Sequence, residues 1–142
     1  MPSDIVLIGP QGVGKSTIGE LLAAQLALPQ CSMDELRWGY YDEIGYDPAL
    51  AQQKREAGGA WAIIQYWQPF EAHAVERLLA EQTHCVIDFG AGHSVYEDAA
   101  LFARVQQALA PYPYVVLLLP SSDLDESRSE ERRVGKECRS RW

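Results

Sequence analysis

The decapeptide "IGPQGVGKST" (8–17) decides how the rest of the chain is read. It continues the apolar run "DIVLIG" (4–9), which closes on Gly as a buried parallel strand does. It leads into "STIGELLAAQLA" (16–27), where Ile18, Leu21, Leu22 and Leu26 recur at helical spacing. Gly9, Gly14, Lys15 and Ser16 satisfy G-x-x-x-x-G-K-[ST], the Walker A phosphate loop, in the strand–loop–helix setting the pattern requires. Gly12 and Gly14 allow the backbone to turn successive N–H groups inward, which makes an anion-binding concavity. The helix starting near Lys15 adds its positive end to the same place. Lys15 then serves as a point charge for the β- and γ-phosphates, and the Ser16 hydroxyl as a ligand for Mg²⁺. The expected cofactors are ATP and Mg²⁺, and the expected nucleotide contacts are Gly9, Gln11, Gly12, Val13, Gly14, Lys15, Ser16 and Thr17. A glycine turn that holds nothing is the plainer alternative, and the Lys-Ser pair with both flanking elements argues against it.

Beyond the loop, short apolar runs alternate with helical patterns. "ALPQCSM" (27–33) reads as a short second strand or its edge. "DPALAQQKREAGG" (47–59) opens on an Asp-Pro pair suited to a helix start and ends in glycines suited to a stop. A longer helical pattern covers 60–82, where Pro69 is expected to begin a new segment or a kink. "HCVIDFG" (84–90) is a third strand, "LFARVQQALA" (101–110) a helix, and "YVVLLLP" (114–120), the most apolar run, a buried strand. This alternation predicts an α/β domain with a parallel sheet.

At 142 residues the chain is one domain or most of one, and no run approaches the length of a membrane span. Cys31, Cys85 and Cys138 are odd in number and lack CxxC spacing, so a reducing, cytoplasmic setting is expected. The net charge of -8 divides unevenly: residues 1–126 carry 6 Lys and Arg against 17 Asp and Glu, residues 127–142 carry 6 against 3. An acidic body argues against nucleic acid as a partner, while a small anion held by backbone amides and Mg²⁺ remains compatible. The segment "SRSEERRVGKECRSRW" (127–142) has no apolar periodicity and resembles a read-through extension. The expected organisation is a domain over 1–126 and a non-native or disordered basic tail over 127–142.

Two further clusters carry chemistry. "CSMDELRW" (31–38) sets Asp34 just past the second strand, and "FGAGHS" (89–94) sets Gly90, Ala91 and Gly92 just past the third. A phosphate loop, an acid after strand two and a glycine cluster after strand three resemble the layout of shikimate kinase, among the nucleoside-monophosphate-kinase-like P-loop kinases. The resemblance covers roughly 4–126 and is closest over "IVLIGPQGVGKSTIGELLAAQLA". It implies a three-layer P-loop kinase fold lacking its last strand and helix, and transfer of the ATP γ-phosphoryl group to a small-molecule hydroxyl, with shikimate first among acceptors. It further implies that Asp34 holds and helps deprotonate that hydroxyl, that Gly90, Ala91 and Gly92 approach the acceptor, and that the protein is a monomer with no membrane partner. For Asp34 the plainer alternative is a helix N-cap; for the glycines, a turn.

Asp88, closing "CVID", reads as a Walker B carboxylate that holds Mg²⁺ beside Ser16. Ser32 stands where shikimate kinases carry the first acid of an Asp-x-Asp pair. The Phe-Arg motif that grips the shikimate carboxylate has no match in "GGAWAIIQYWQPFEAH" (58–73), so Arg37 and Arg55 serve only if the fold brings them round. The lid arginines and last strand of that family also lack a match, from which poor turnover of this chain is expected. A kinase acting on a nucleotide, gluconate or an antibiotic, and a P-loop ATPase or switch, are the alternatives. Trp61, Tyr66, Trp67 and Phe70 read as a core face, "YYDEIGYD" (40–47) as a solvated mobile segment, and of the histidines only His93 neighbours the candidate site.

Overall fold

The computed structural model describes residues 4–123 and 125–126; the expectations for 127–142 lie outside the described residues. Along the chain run β1 (Ile5–Ile8), α1 (Lys15–Leu26), β2 (Gln30–Ser32), α2 (Met33–Glu43), α3 (Pro48–Glu81), β3 (Val86–Asp88), a 3₁₀ turn (Ala91–Ser94), α4 (Ala99–Leu109) and β4 (Val115–Leu117). The four strands form one parallel sheet in the order β2-β3-β1-β4. None of the described helices is long and apolar enough to cross a membrane.

Strand alternation sorts the core into layers. Leu7 and Val86 face α1 and pack with Ala23. Val6 and Ile87, one residue along, face the other way into a larger core with Met33, Tyr41, Phe70, Val75, Leu78 and Val105 from α2, α3 and α4. Helix, sheet and helices make the three layers expected of this class.

Helix starts follow local chemistry. Asp47 caps α3 by accepting from the Ala49 amide, with Pro48 in the first helical position. Asp98 caps α4 by accepting from Ala100 and Leu101. The break expected near 58–59 is present at Gly59 (φ 72°, ψ -159°), but Pro69 neither ends nor begins a segment. Its fixed φ suits a helix, and the buried neighbours Gln68, Phe70 and Glu71 hold that stretch against the core.

Two expectations are corrected. β4 is not buried: Val115, Val116 and Leu117 are all exposed. It is an edge strand paired only with β1, and among the described residues no layer covers it. Residues 40–47 are solvated only in part: Asp42 to Gly45 and Asp47 are exposed, while the tyrosines turn inward. Tyr40 and Tyr41 are buried on α2, their hydroxyls held by Glu81 (2.7 Å) and His93 (3.1 Å), and Tyr46 stacks with Tyr66 and meets Phe70 edge-on. The aromatic core reading holds for Phe70 and Tyr66, while Trp61 is exposed.

Candidate active site

The sheet directs the candidate residues to one edge. β1, β2 and β3 run parallel, so the loops leaving their carboxyl ends gather on one side, where open α/β sheets bind ligands. From β1 comes the phosphate loop, from β2 the start of α2 with Asp34, and from β3 Asp88 and the Gly90–Gly92 turn.

In the loop, Gly9, Gly12 and Gly14 have φ of 148°, 79° and 99°. At Gly9 a Cβ would stand 2.5 Å from the Leu118 carbonyl oxygen, so both backbone angle and space demand glycine there. Gly14 is the N-cap of α1 and makes no side-chain cap bond, so the helix opens with its first amides available to an anion. Ser16, Thr17, Gln11 and Gly12 are exposed. Lys15 is buried, its Nζ donating to the carbonyls of Gly9 (2.6 Å) and Pro10 (2.9 Å). Burial lowers its pKa below the ordinary lysine value, and the fields of Asp34 and then Asp88 pull it back up. One ammonium thus feels both carboxylates.

Asp88 is buried and held from two sides. Ser32 Oγ donates to its Oδ1 (2.9 Å), and Gln30 Nε2 donates to its Oδ2 (2.9 Å). The same Gln30 amide reaches the Ser16 carbonyl (3.0 Å), tying β2 to the first turn of α1. Sequence reasoning marked Ser32 as a departure and passed over Gln30. The register that sets Ser32 opposite Asp88 was the missing information. The chemistry fits a metal that arrives with nucleotide: no group of three or more ligating side chains occurs among the described residues, and Mg²⁺ is ordinarily held by one or two protein oxygens with waters and phosphates. Asp88 and Ser16 are the residues that would hold it.

Asp34 lies in the first turn of α2 and is exposed; the N-cap position is Ser32, whose side chain makes no cap bond, so Asp34 is not the N-cap. Its carboxylate is 3.9 Å from the Arg37 guanidinium one turn on. Gly90 sits against it, since a Cβ there would come within 2.9 Å of Asp34 Oδ1 and 2.7 Å of His93 Nδ1. Gly92 sits against Glu71, whose carboxyl oxygens would be 2.7 and 2.8 Å from a Cβ. Both glycines are therefore packed against the protein's own polar side chains, which leave no room for a Cβ at either position. His93 is 1% exposed, its ring hydrogen-bonded to Tyr41 through Nε2 while Nδ1 has no partner. Burial pushes its pKa down to about 3, with the nearby Arg37 charge acting the same way, so the imidazole is neutral.

Glu71 and Tyr41 are the residues sequence reasoning missed. Burial raises the Glu71 carboxyl to about 7 although Arg37 pulls it down. The signal was present: Glu71, Ala74, Val75 and Leu78 share one helical face, all four buried, so an acid stood in a core stripe. Arg37, named only as a substitute, is brought round: its field acts on Glu71, Tyr41 and His93, and its Nε is buried without a hydrogen bond. A concavity of about 540 Å³ between α3 and α4, lined by Glu76, Leu79, Arg104 and Tyr112 among others, contains none of these residues.

Comparison with known proteins bears on the fold and on what the chain is similar to. No family model matches the chain. It is 30% identical over 116 residues to a shikimate kinase of Xanthomonas euvesicatoria pv. vesicatoria (strain 85-10), an alignment covering 81% of this chain and 54% of that protein. The chain thus spans about half the length of the curated relative it matches. Its fold superposes on a shikimate kinase from Acinetobacter baumannii in complex with shikimate with a TM-score of 0.56 at 22% identity, covering 90% of this chain and 65% of that one.

Proposed function

From a chain that is a shikimate kinase homologue with the P-loop kinase fold, we propose an ATP- and Mg²⁺-dependent small-molecule kinase. The observation that carries it is a single ammonium, Lys15, at the root of the glycine loop and within the fields of both Asp34 and Asp88. That arrangement supports a donor half and an acceptor half meeting at one point.

The loop amides and Lys15 bind the triphosphate, and Lys15 must leave the Gly9 and Pro10 carbonyls to do so. Ser16 and Asp88 hold the metal, which neutralises charge on the phosphates when bound. Asp34 accepts the proton of the acceptor hydroxyl as its oxygen bonds to the γ-phosphorus and the bond from that phosphorus to the β-phosphate oxygen breaks, releasing ADP. Gly90, Ala91 and Gly92 let the acceptor approach the turn closely. Shikimate is the acceptor the resemblance names and the first to assay.

The test measures ATP consumption by the folded chain with and without acceptor, alongside calorimetry with ATP. Consumption that rises with acceptor supports the kinase. ATP hydrolysis indifferent to every hydroxyl compound offered would leave an ATPase or switch, and no heat with ATP would end the reading altogether.

A further inference from the structure

One side chain ties Asp88 to the first turn of α1 and has no part in the chemistry above. Gln30 opens β2, the edge strand beside β3. It is paired with Val86, and Ser32 with Asp88, so all four share the face of the sheet that α1 covers. There the Gln30 amide nitrogen donates both to Asp88 Oδ2 (2.9 Å) and to the Ser16 carbonyl (3.0 Å). An amide NH₂ has two N–H bonds, so both acceptors are served at once. Ser32 Oγ holds the other carboxylate oxygen, Oδ1, at 2.9 Å.

The helix above makes room for this crossing. Gly19 is buried within α1, and a Cβ there would stand 2.9 Å from Gln30 Nε2 and 3.5 Å from Asp88 Oδ2. Glycine is a poor choice inside a helix, and here its missing side chain is the space the amide occupies. Burial does not force the bonds on Gln30, which is exposed and whose amide water would serve equally well. Asp88, by contrast, is 3% exposed, and its carboxylate is fixed at both oxygens. Each oxygen keeps a further lone pair, and the plane that directs those lone pairs is set by the two donors. Because the same nitrogen grips Ser16, the carboxylate is set relative to the residue whose hydroxyl is its partner ligand in the reading above. Hydrogen-bonded support behind oxygen ligands is what gives a metal site its direction.

Resting on the reading that Ser16 and Asp88 hold Mg²⁺ with the nucleotide, we propose that Gln30 is the positioning residue of that site. It aligns the Asp88 carboxylate with Ser16 to meet a divalent cation carried in on a nucleoside di- or triphosphate. Gln30 therefore affects nucleotide affinity only when the cation is present.

The test is calorimetry of ADP binding to the full chain, once with Mg²⁺ and once in EDTA. Wild type is expected to bind ADP more tightly with Mg²⁺, and Asp88→Asn to lose that gain. Gln30→Met keeps the length of the side chain and removes both donors. It is expected to weaken binding about tenfold in Mg²⁺ and to leave the EDTA affinity within about twofold, with thermal melts matching wild type. Equal losses in the two conditions would make Gln30 a prop for the loop and overturn the proposal. A gain lost in D88N and kept in Q30M overturns the role of Gln30 and leaves the metal reading standing. Wild-type affinity indifferent to Mg²⁺ overturns the metal reading and this proposal together, as does an absence of heat with ADP. Acceptor is not involved, so the kinase can fail its own test while this proposal stands.

Discussion

At the end of the crevice proposed for the nucleotide, the consecutive residues 8–17 supply the strand end, the glycine loop, the ammonium and the hydroxyl. At the end proposed for the acceptor, Asp34 and Arg37 come from α2, Glu71 from α3, and Gly90, Gly92 and His93 from the turn after β3. The first end is specified by backbone angles that neighbouring residues impose on one another. The second exists only after long-range packing, when Tyr41 on α2 meets His93 and Glu71 comes to rest on Gly92. Local order can be read from a motif; a site assembled from three elements is read from which side chains share a core.

The largest expected effect cuts the two ends apart. Asp34→Asn removes the proposed proton acceptor and leaves the loop intact, so kcat should fall by about 10²–10⁴ with ATP affinity largely kept. Loss of ATP binding instead would place Asp34 on the donor side. Lys15→Ala is the complementary cut: kcat/KM should drop by about 10²–10³ and the heat of ATP binding should diminish sharply. If D34N and K15A gave the same pattern, the division into two ends would be lost.

Gly9→Ala tests the local end through stability. The substitution forces a Cβ to within 2.5 Å of the Leu118 carbonyl oxygen at φ 148°, and backbone on both sides must shift. A loss of about 3 kcal/mol in denaturant unfolding is expected. A loss below about 0.5 kcal/mol would mean that β1 and the chain after β4 are not held as described.

The same contrast explains what was legible in the sequence. β1 and α1 were placed to within a residue or two, and the Asp47 cap and the Gly59 break followed from local chemistry. Composition alone misled for "YVVLLLP": apolar side chains are buried only if something lies on them, and β4 is at the sheet edge. It misled in the other direction for "YYDEIGYD", where tyrosines at helical positions carry hydroxyls that Glu81 and His93 satisfy inside the fold. Ser32 looked like a lost acid until the β2–β3 register set its hydroxyl on Asp88. Glu71 escaped because a helix face was judged by its apolar members, and the one acid among them has no partner visible in sequence.

The smallest effect sharpens the comparison most, because it concerns the cost of assembling the distant end. Burial raises Glu71 from 4.5 to about 7, so the folded state holds that proton more tightly than the unfolded chain does. Stability from this group is therefore complete below about pH 4.5 and is lost as pH rises through about 7, where the carboxylate must be kept charged in a poorly solvated place. Glu71→Gln cannot ionise. Relative to wild type it should be near neutral at pH 4.5 and more stable by about 2 kcal/mol at pH 8, the gain appearing between those values. His93 works with the opposite sign: its depressed pKa means that acid favours the unfolded chain below about 6.5, so wild type and E71Q should both weaken as pH falls toward 3. A wild-type curve parallel to that of E71Q from pH 4.5 to 8 would show that Glu71 is solvated or fully paired. A difference that grows with pH would mean that the fold retains a charge there against its own stability.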